Sequence, residues 1–146
     1  MTPYPHHYTV TTLAGAAGDV PLSAVGLPSL STAPPAEFGG PGDAWSPETL
    51  FVGAVADCFV LTFRAVARAA GYSWQQLECK VEGTLDRREG VTRFTRYRTD
   101  AILTVAPGAD HAKAEALLER AEKACLIAAS LNGTRELYST VVERAD

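Results

Sequence analysis

From Ser46 to Gly71 the chain carries a run that can hardly be anything but a buried helix, and the rest of the fold has to be built around it. Ser46-Pro47-Glu48 supplies an N-cap, a proline at the first helical position and an acid near the positive end of the dipole, and Gly71 is a natural stop. Leu50, Phe51, Val52, Ala54, Val55, Phe59, Val60, Leu61 and Phe63 leave no clean polar face until Arg64 and Arg68. This predicts a central helix covered nearly all round. A chain of 146 residues holds one core, and a single sheet would struggle to cover such a helix on every side, which points to a second subunit. The charge-poor stretch from Thr49 to Phe63 contains Asp57 and is shorter than the roughly 20 apolar residues a membrane-spanning helix needs, so no transmembrane segment is expected.

The flanking segments read as strands and one further helix. Tyr8 to Leu13 is rich in β-branched residues and precedes a glycine-containing turn, and Val20 to Leu30 is a weaker strand interrupted by Pro21 and Pro28. Residues 33–47 contain Pro34, Pro35, Gly39, Gly40, Pro41 and Gly42 and read as a long irregular loop inside one domain, residues 1–146. Beyond the helix, Leu77, Cys79, Val81, Gly83 and Leu85 alternate with polar residues, a half-buried strand that turns at Arg87-Arg88-Glu89-Gly90 into a second strand, Val91 to Val105. Asp110 caps a second helix whose apolar positions run from Ala112 to Leu131, with Asn132-Gly133 as its stop, and Leu137 to Glu143 closes the chain as a strand. The order implies an α+β fold with helices packed on antiparallel sheet.

Composition removes several functions. The net charge is −4, and residues 1–63 contain neither Lys nor Arg, so binding to nucleic acid is not expected. No basic and apolar leader opens the chain, which leaves a cytoplasmic setting as the expectation. Three widely spaced cysteines, Cys58, Cys79 and Cys125, fit neither a disulfide scaffold nor a paired metal site. His6-His7 lacks partners at ligand spacing, and the glycines at 39–42 do not form a phosphate cradle after a strand, so neither a metal nor a cofactor is expected. Ser46 lacks a nucleophile elbow and is explained as a cap.

The cysteines remain. A free Cys in an apolar helix or strand is most often a packing residue, and that reading covers Cys79 between Leu77 and Val81. Cys58 and Cys125 each lie near the middle of a long helix, and two crossing helices can bring such residues within disulfide reach. Trp45-Ser-Pro-Glu-Thr-Leu-Phe51, Ala54-Val-Ala-Asp-Cys58 and Ala121-Glu-Lys-Ala-Cys125 together resemble the OsmC/Ohr family of osmotically inducible and organic-hydroperoxide-resistance proteins. The resemblance spans about Tyr8 to Glu143 and implies an OsmC-like fold, with antiparallel sheets packed around two long central helices in an intertwined homodimer. It implies a thiol-dependent peroxidase in which Cys58 attacks an organic hydroperoxide, Cys125 resolves the resulting sulfenic acid as a disulfide, Glu48 is the active-site acid, and a dithiol or lipoyl-type reductant regenerates the pair.

Glu48 and Cys58 are ten residues apart, about 15 Å of helical rise and on different faces, so a shared site requires a later helix start or a partner subunit. Two departures from the family stand out. Peroxidase members place an arginine from the N-terminal region beside the thiolate, whereas here no Lys or Arg precedes Arg64, and the hairpin arginines Arg87, Arg88, Arg93, Arg96 and Arg98 also fit a solvated strand face. Many members also have a proline after the second cysteine, where this chain has Leu126. Two other readings therefore stand beside the peroxidase: an OsmC-like small-molecule-binding protein with little turnover, and a structural dimer whose cysteines only pack.

Overall fold

A computed structural model describes all 146 residues, Met1–Asp146. The chain divides into two compact units, Met1–Phe51 and Val52–Asp146. The first is a small antiparallel meander of β1 (Thr11–Thr12), β2 (Val20–Ser23) and β3 (Leu30–Thr32). The segment expected as one interrupted strand from Val20 to Leu30 is two, because the chain reverses through a turn at Gly26, φ 77°, and returns to pair Leu30 with Leu22. Most of the segment 8–13 stays outside the sheet, which keeps only Thr11 and Thr12 of it. The proline-glycine loop folds back on itself: a single 3-10 turn at Ala36–Phe38 follows Pro35, and a Cβ on Gly40 would overlap the Pro34 carbonyl. Ala33 N–H donates to the Trp45 carbonyl at 3.0 Å, closing the loop just before Ser46. Only Thr32, Ala33 and Ser46 are buried in this unit, while Tyr8, Leu13, Val25, Leu27 and Phe38 are exposed. It has no core of its own.

Helix α1 (Pro47–Ala69) starts where the sequence placed it. Ser46 and Thr49 cap it reciprocally: Thr49 N–H donates to Ser46 Oγ at 3.1 Å and Ser46 N–H to Thr49 Oγ1 at 2.8 Å. By length and composition α1 could cross a bilayer. Its stripe Val55, Phe59, Phe63 and Ala67 is instead buried in protein.

That stripe meets a three-stranded sheet, β4 (Gln76–Arg88), β5 (Val91–Val105) and β6 (Thr134–Glu143). Strands β4 and β5 form the expected hairpin, with Glu89 and Gly90 both left-handed at its tip, as a two-residue turn requires. A register shift at Thr84/Leu85 makes Thr95 a bulge. Gly83 sits where a Cβ would come within 2.7 Å of the Val52 side chain and 3.0 Å of Phe94, so its lack of a side chain lets α1 approach the sheet. β6 runs parallel to β5, unlike the all-antiparallel expectation, because the connection between them is a helical crossover rather than a turn. The α+β assignment holds, with one sheet mixed.

The crossover is α2 (His111–Ala124) followed by α3 (Leu126–Ala129). Asp110 caps α2 as expected, accepting from Lys113 N–H at 3.0 Å. The single helix expected through to Leu131 is broken at Cys125, which is extended (φ −63°, ψ 112°) and ends α2 while starting α3. The buried positions Ala114, Leu117, Leu118, Ala121, Cys125 and Ala128 keep helical spacing across the break, which is why the pattern hides it. The core joins Phe59, Phe63 and Ala67 of α1 to Ala101, Leu103 and Val105 of β5 and the inner face of α2, with Phe63 set edge-on to Trp74 at 5.3 Å. Each large apolar side chain so buried contributes roughly 1.5–3 kcal/mol.

Candidate active site

Val55, Cys125 and Ala128 form a second buried cluster, and Cys58, Val81 and Leu131 pack against it. The two helix cysteines are therefore neighbours, and all three cysteines are free thiols. Cys58 lies three residues after Val55 and one before Phe59, on the flank of the buried stripe, and is half-buried. Cys125 is 1% exposed.

The break in the crossover lies at Cys125 itself. Cys125 N–H reaches back to the Glu122 carbonyl at 3.4 Å, and its own carbonyl accepts from Ala129 N–H at 2.9 Å. The first N–H groups of α3 have no carbonyl one turn behind them. Burial pushes the Cys58 thiol up, but the influence of Ile127 N–H, the Cys125 thiol, the Thr62 hydroxyl and Leu126 N–H, in that order, outweighs it and brings the pKa below the ordinary thiol value. Thr62 Oγ1, one turn further along α1, is 3.8 Å from the Cys58 sulfur. Cys125 moves the other way, to about 11, through burial and through donating to and lying beside the Cys58 thiolate. Cys79, half-buried on β4, is also pushed up to about 11, by burial and then by Cys125 and Asp100. The pair is thus polarised, with Cys58 the better thiolate and Cys125 a thiol that donates to it.

Three of the five hairpin arginines are held by carboxylates: Arg88 by Asp86 at 3.1 Å, Arg96 by Glu136 at 2.7 Å and Arg98 by Asp100 at 3.0 Å. Arg98 also lies over the Tyr138 ring, 4.3 Å from its centroid. These contacts fit the solvated strand face anticipated for the run. The basic residue that does border the cysteine cluster is Arg135 on β6, which lines a small cleft with Cys125 and pairs with Glu122 at 3.4 Å. Sequence reasoning missed it, because an arginine opening an outer strand carries no periodic signal, and contact with the cleft depends on β6 running parallel to β5.

Glu48 occupies the first turn of α1, and one of its carboxylate oxygens is shielded without a hydrogen-bond partner. The observed start at Pro47 removes the later helix start as a way to bring Glu48 and Cys58 together on one chain. His6 is bonded to the Thr2 carbonyl, and no group of three His, Cys, Asp or Glu side chains forms a metal site. His111 pairs with Glu143 at 3.1 Å.

Residues 40–137 match the family described as OsmC-like protein. The uncharacterized protein YmaD of Bacillus subtilis (strain 168) is 29% identical over 135 residues, covering 90% of each chain. Among solved structures, an organic hydroperoxide resistance protein OsmC from Legionella pneumophila superposes with a TM-score of 0.72 at 28% identity, covering 94% of this chain and 99% of that one. An OsmC-like protein from Mycoplasma pneumoniae has a TM-score of 0.80 at 14% identity, covering 95% and 99%.

If the donors around the sulfur set its acidity, Thr62→Val, which keeps the shape and removes the hydroxyl, raises the Cys58 pKa. The pH dependence of Cys58 alkylation then shifts upward, and an unmoved profile contradicts the assignment.

Proposed function

The chain belongs to the OsmC-like family, and from that premise we propose that it is a thiol-dependent peroxidase that reduces organic hydroperoxides. The observation that carries this reading is the polarised pair, a half-buried Cys58 with a lowered pKa against a buried Cys125 that donates to it. A relative at 28% identity carries the name organic hydroperoxide resistance protein, which supports the substrate class.

The Cys58 thiolate attacks the terminal oxygen of the hydroperoxide, the O–O bond breaks, and the organic part leaves as an alcohol. Cys58 is then a sulfenic acid. Cys125 attacks that sulfur, the S–O bond breaks, and water leaves as the Cys58–Cys125 disulfide forms. A dithiol or lipoyl-type reductant returns the pair to thiols. In this reading the α3 amides and Thr62 supply the stabilisation that family members draw from an N-terminal arginine, which residues 1–63 cannot provide. The free cysteines suit a reducing, cytoplasmic setting.

A homodimer is part of the proposal. Outside the stripe Val55, Phe59, Phe63 and Ala67, α1 is apolar yet incompletely covered, with Leu61 51% exposed, and residues 1–51 bury only three side chains. A second copy is the proposed cover, and it brings Glu48 to the partner's thiolate as the site's acid, which one continuous helix does not allow. Sedimentation of the purified protein should return twice the chain mass, and a monomer at micromolar concentration contradicts this part.

A second reading, an OsmC-like small-molecule-binding protein without turnover, is favoured by the missing N-terminal arginine and by the hairpin arginines held in ion pairs. Peroxide consumption separates the two. The reduced protein should remove cumene hydroperoxide with loss of two thiols per peroxide, Cys58→Ser should abolish removal, and Cys125→Ser should leave a Cys58 sulfenic acid trappable by dimedone. Intact peroxide beside the reduced wild type supports the binder instead.

A further inference from the structure

We propose that Glu122, held by Arg135, carries the proton of the Cys125 thiol when the disulfide forms. This rests on the peroxidase reading and names a residue pair for its second step.

Cys125, Glu122, Arg135 and Thr99 border one cleft whose lining also includes Val55, Phe59 and Ala128. The cleft has free space of about 10 Å³, the lower limit at which a cavity takes one water. Glu122 is one turn before Cys125 on α2, and its side chain is only 20% exposed although it lies in the last turn, where the helix dipole disfavours an acid. Arg135 offsets that cost, with Nε 3.4 Å from Glu122 Oε1 and its side chain 31% exposed. Burial and the Cys58 thiolate raise the Cys125 thiol while the Ala128 and Ile127 N–H groups lower it, and Glu122 and Arg135 share its cleft. With its pKa pushed up to about 11, Cys125 is ionised only on the order of one part in ten thousand at neutral pH, so its attack needs a base. Cys79, itself near 11, is a poor one.

In the step, the Cys125 S–H bond breaks as the S–S bond forms, and the Cys58 S–O bond breaks. The oxygen leaves as water, with the proton passed from Cys125 through one water to Glu122 and on to the leaving hydroxyl. The only oxidant is the organic hydroperoxide already consumed in forming the sulfenic acid. Glu122 is the relay and Arg135 its positioning residue.

The test is single turnover of the reduced full chain with cumene hydroperoxide, reading the Cys58 sulfenic acid by dimedone capture and the disulfide by alkylation. Glu122→Gln should leave the first step within about twofold and slow the second about a hundredfold at neutral pH. The deficit should shrink as pH rises towards the Cys125 pKa. Arg135→Lys should retain most of the rate and Arg135→Met should not. An unchanged disulfide rate in Glu122→Gln overturns the proposal and leaves the peroxidase standing. Slowing of both steps together, or a deficit that pH does not relieve, assigns the pair a structural role and also overturns it. A wild type that forms no sulfenic acid removes the proposal together with the reading beneath it.

Discussion

The seating of one helical stripe fixes the geometry of the site. With Val55, Phe59, Phe63 and Ala67 buried against the sheet and the crossover, α1 cannot rotate without exposing several apolar side chains, at roughly 1.5–3 kcal/mol each. Cys58 is thereby held on the flank of the stripe, where α2 gives way to α3. The Cys58 sulfur inherits its position from core packing, and its half-buried state reflects its place beside the stripe.

The break at Cys125 gives that position chemical meaning. An uninterrupted helix from Asp110 to Leu131 would have spent the Leu126 and Ile127 N–H groups on carbonyls one turn earlier. Breaking it releases them, and a thiolate is a suitable acceptor. Fixed dipoles of this kind stabilise an anion without bringing a mobile, hydrated cation into a partly apolar site. Cys125 sits buried at this break, its thiol raised by burial and by the Cys58 thiolate while the Cys58 thiol is lowered.

Much of this was legible in the sequence. The buried helix, its Ser46 cap, the Asp110 cap and the hairpin followed from local rules: spacing, capping chemistry and turn residues. That Cys58 and Cys125 come to be neighbours was open to the sequence too, since each long helical pattern carries one cysteine near its middle. What escaped depends on contacts distant in sequence. The crossover breaks where there is neither Pro nor Gly, and its buried positions keep their period, so nothing local marks the site. Arg135 reaches the cleft only because β6 lies parallel to β5. The strand expected over Tyr8 to Leu13 shrinks to Thr11–Thr12, since β propensity yields no ladder beyond the residues a partner strand reaches.

The unequal acidity of two neighbouring thiols underlies the proposed chemistry. The most direct measurement is a site-resolved titration of the reduced protein, following alkylation of Cys58 and Cys125 separately across pH by peptide mass spectrometry. Cys58 should become reactive below the ordinary thiol range while Cys125 stays protonated until pH approaches about 11. Coincident titration of the two, or Cys125 ionising first, would contradict it.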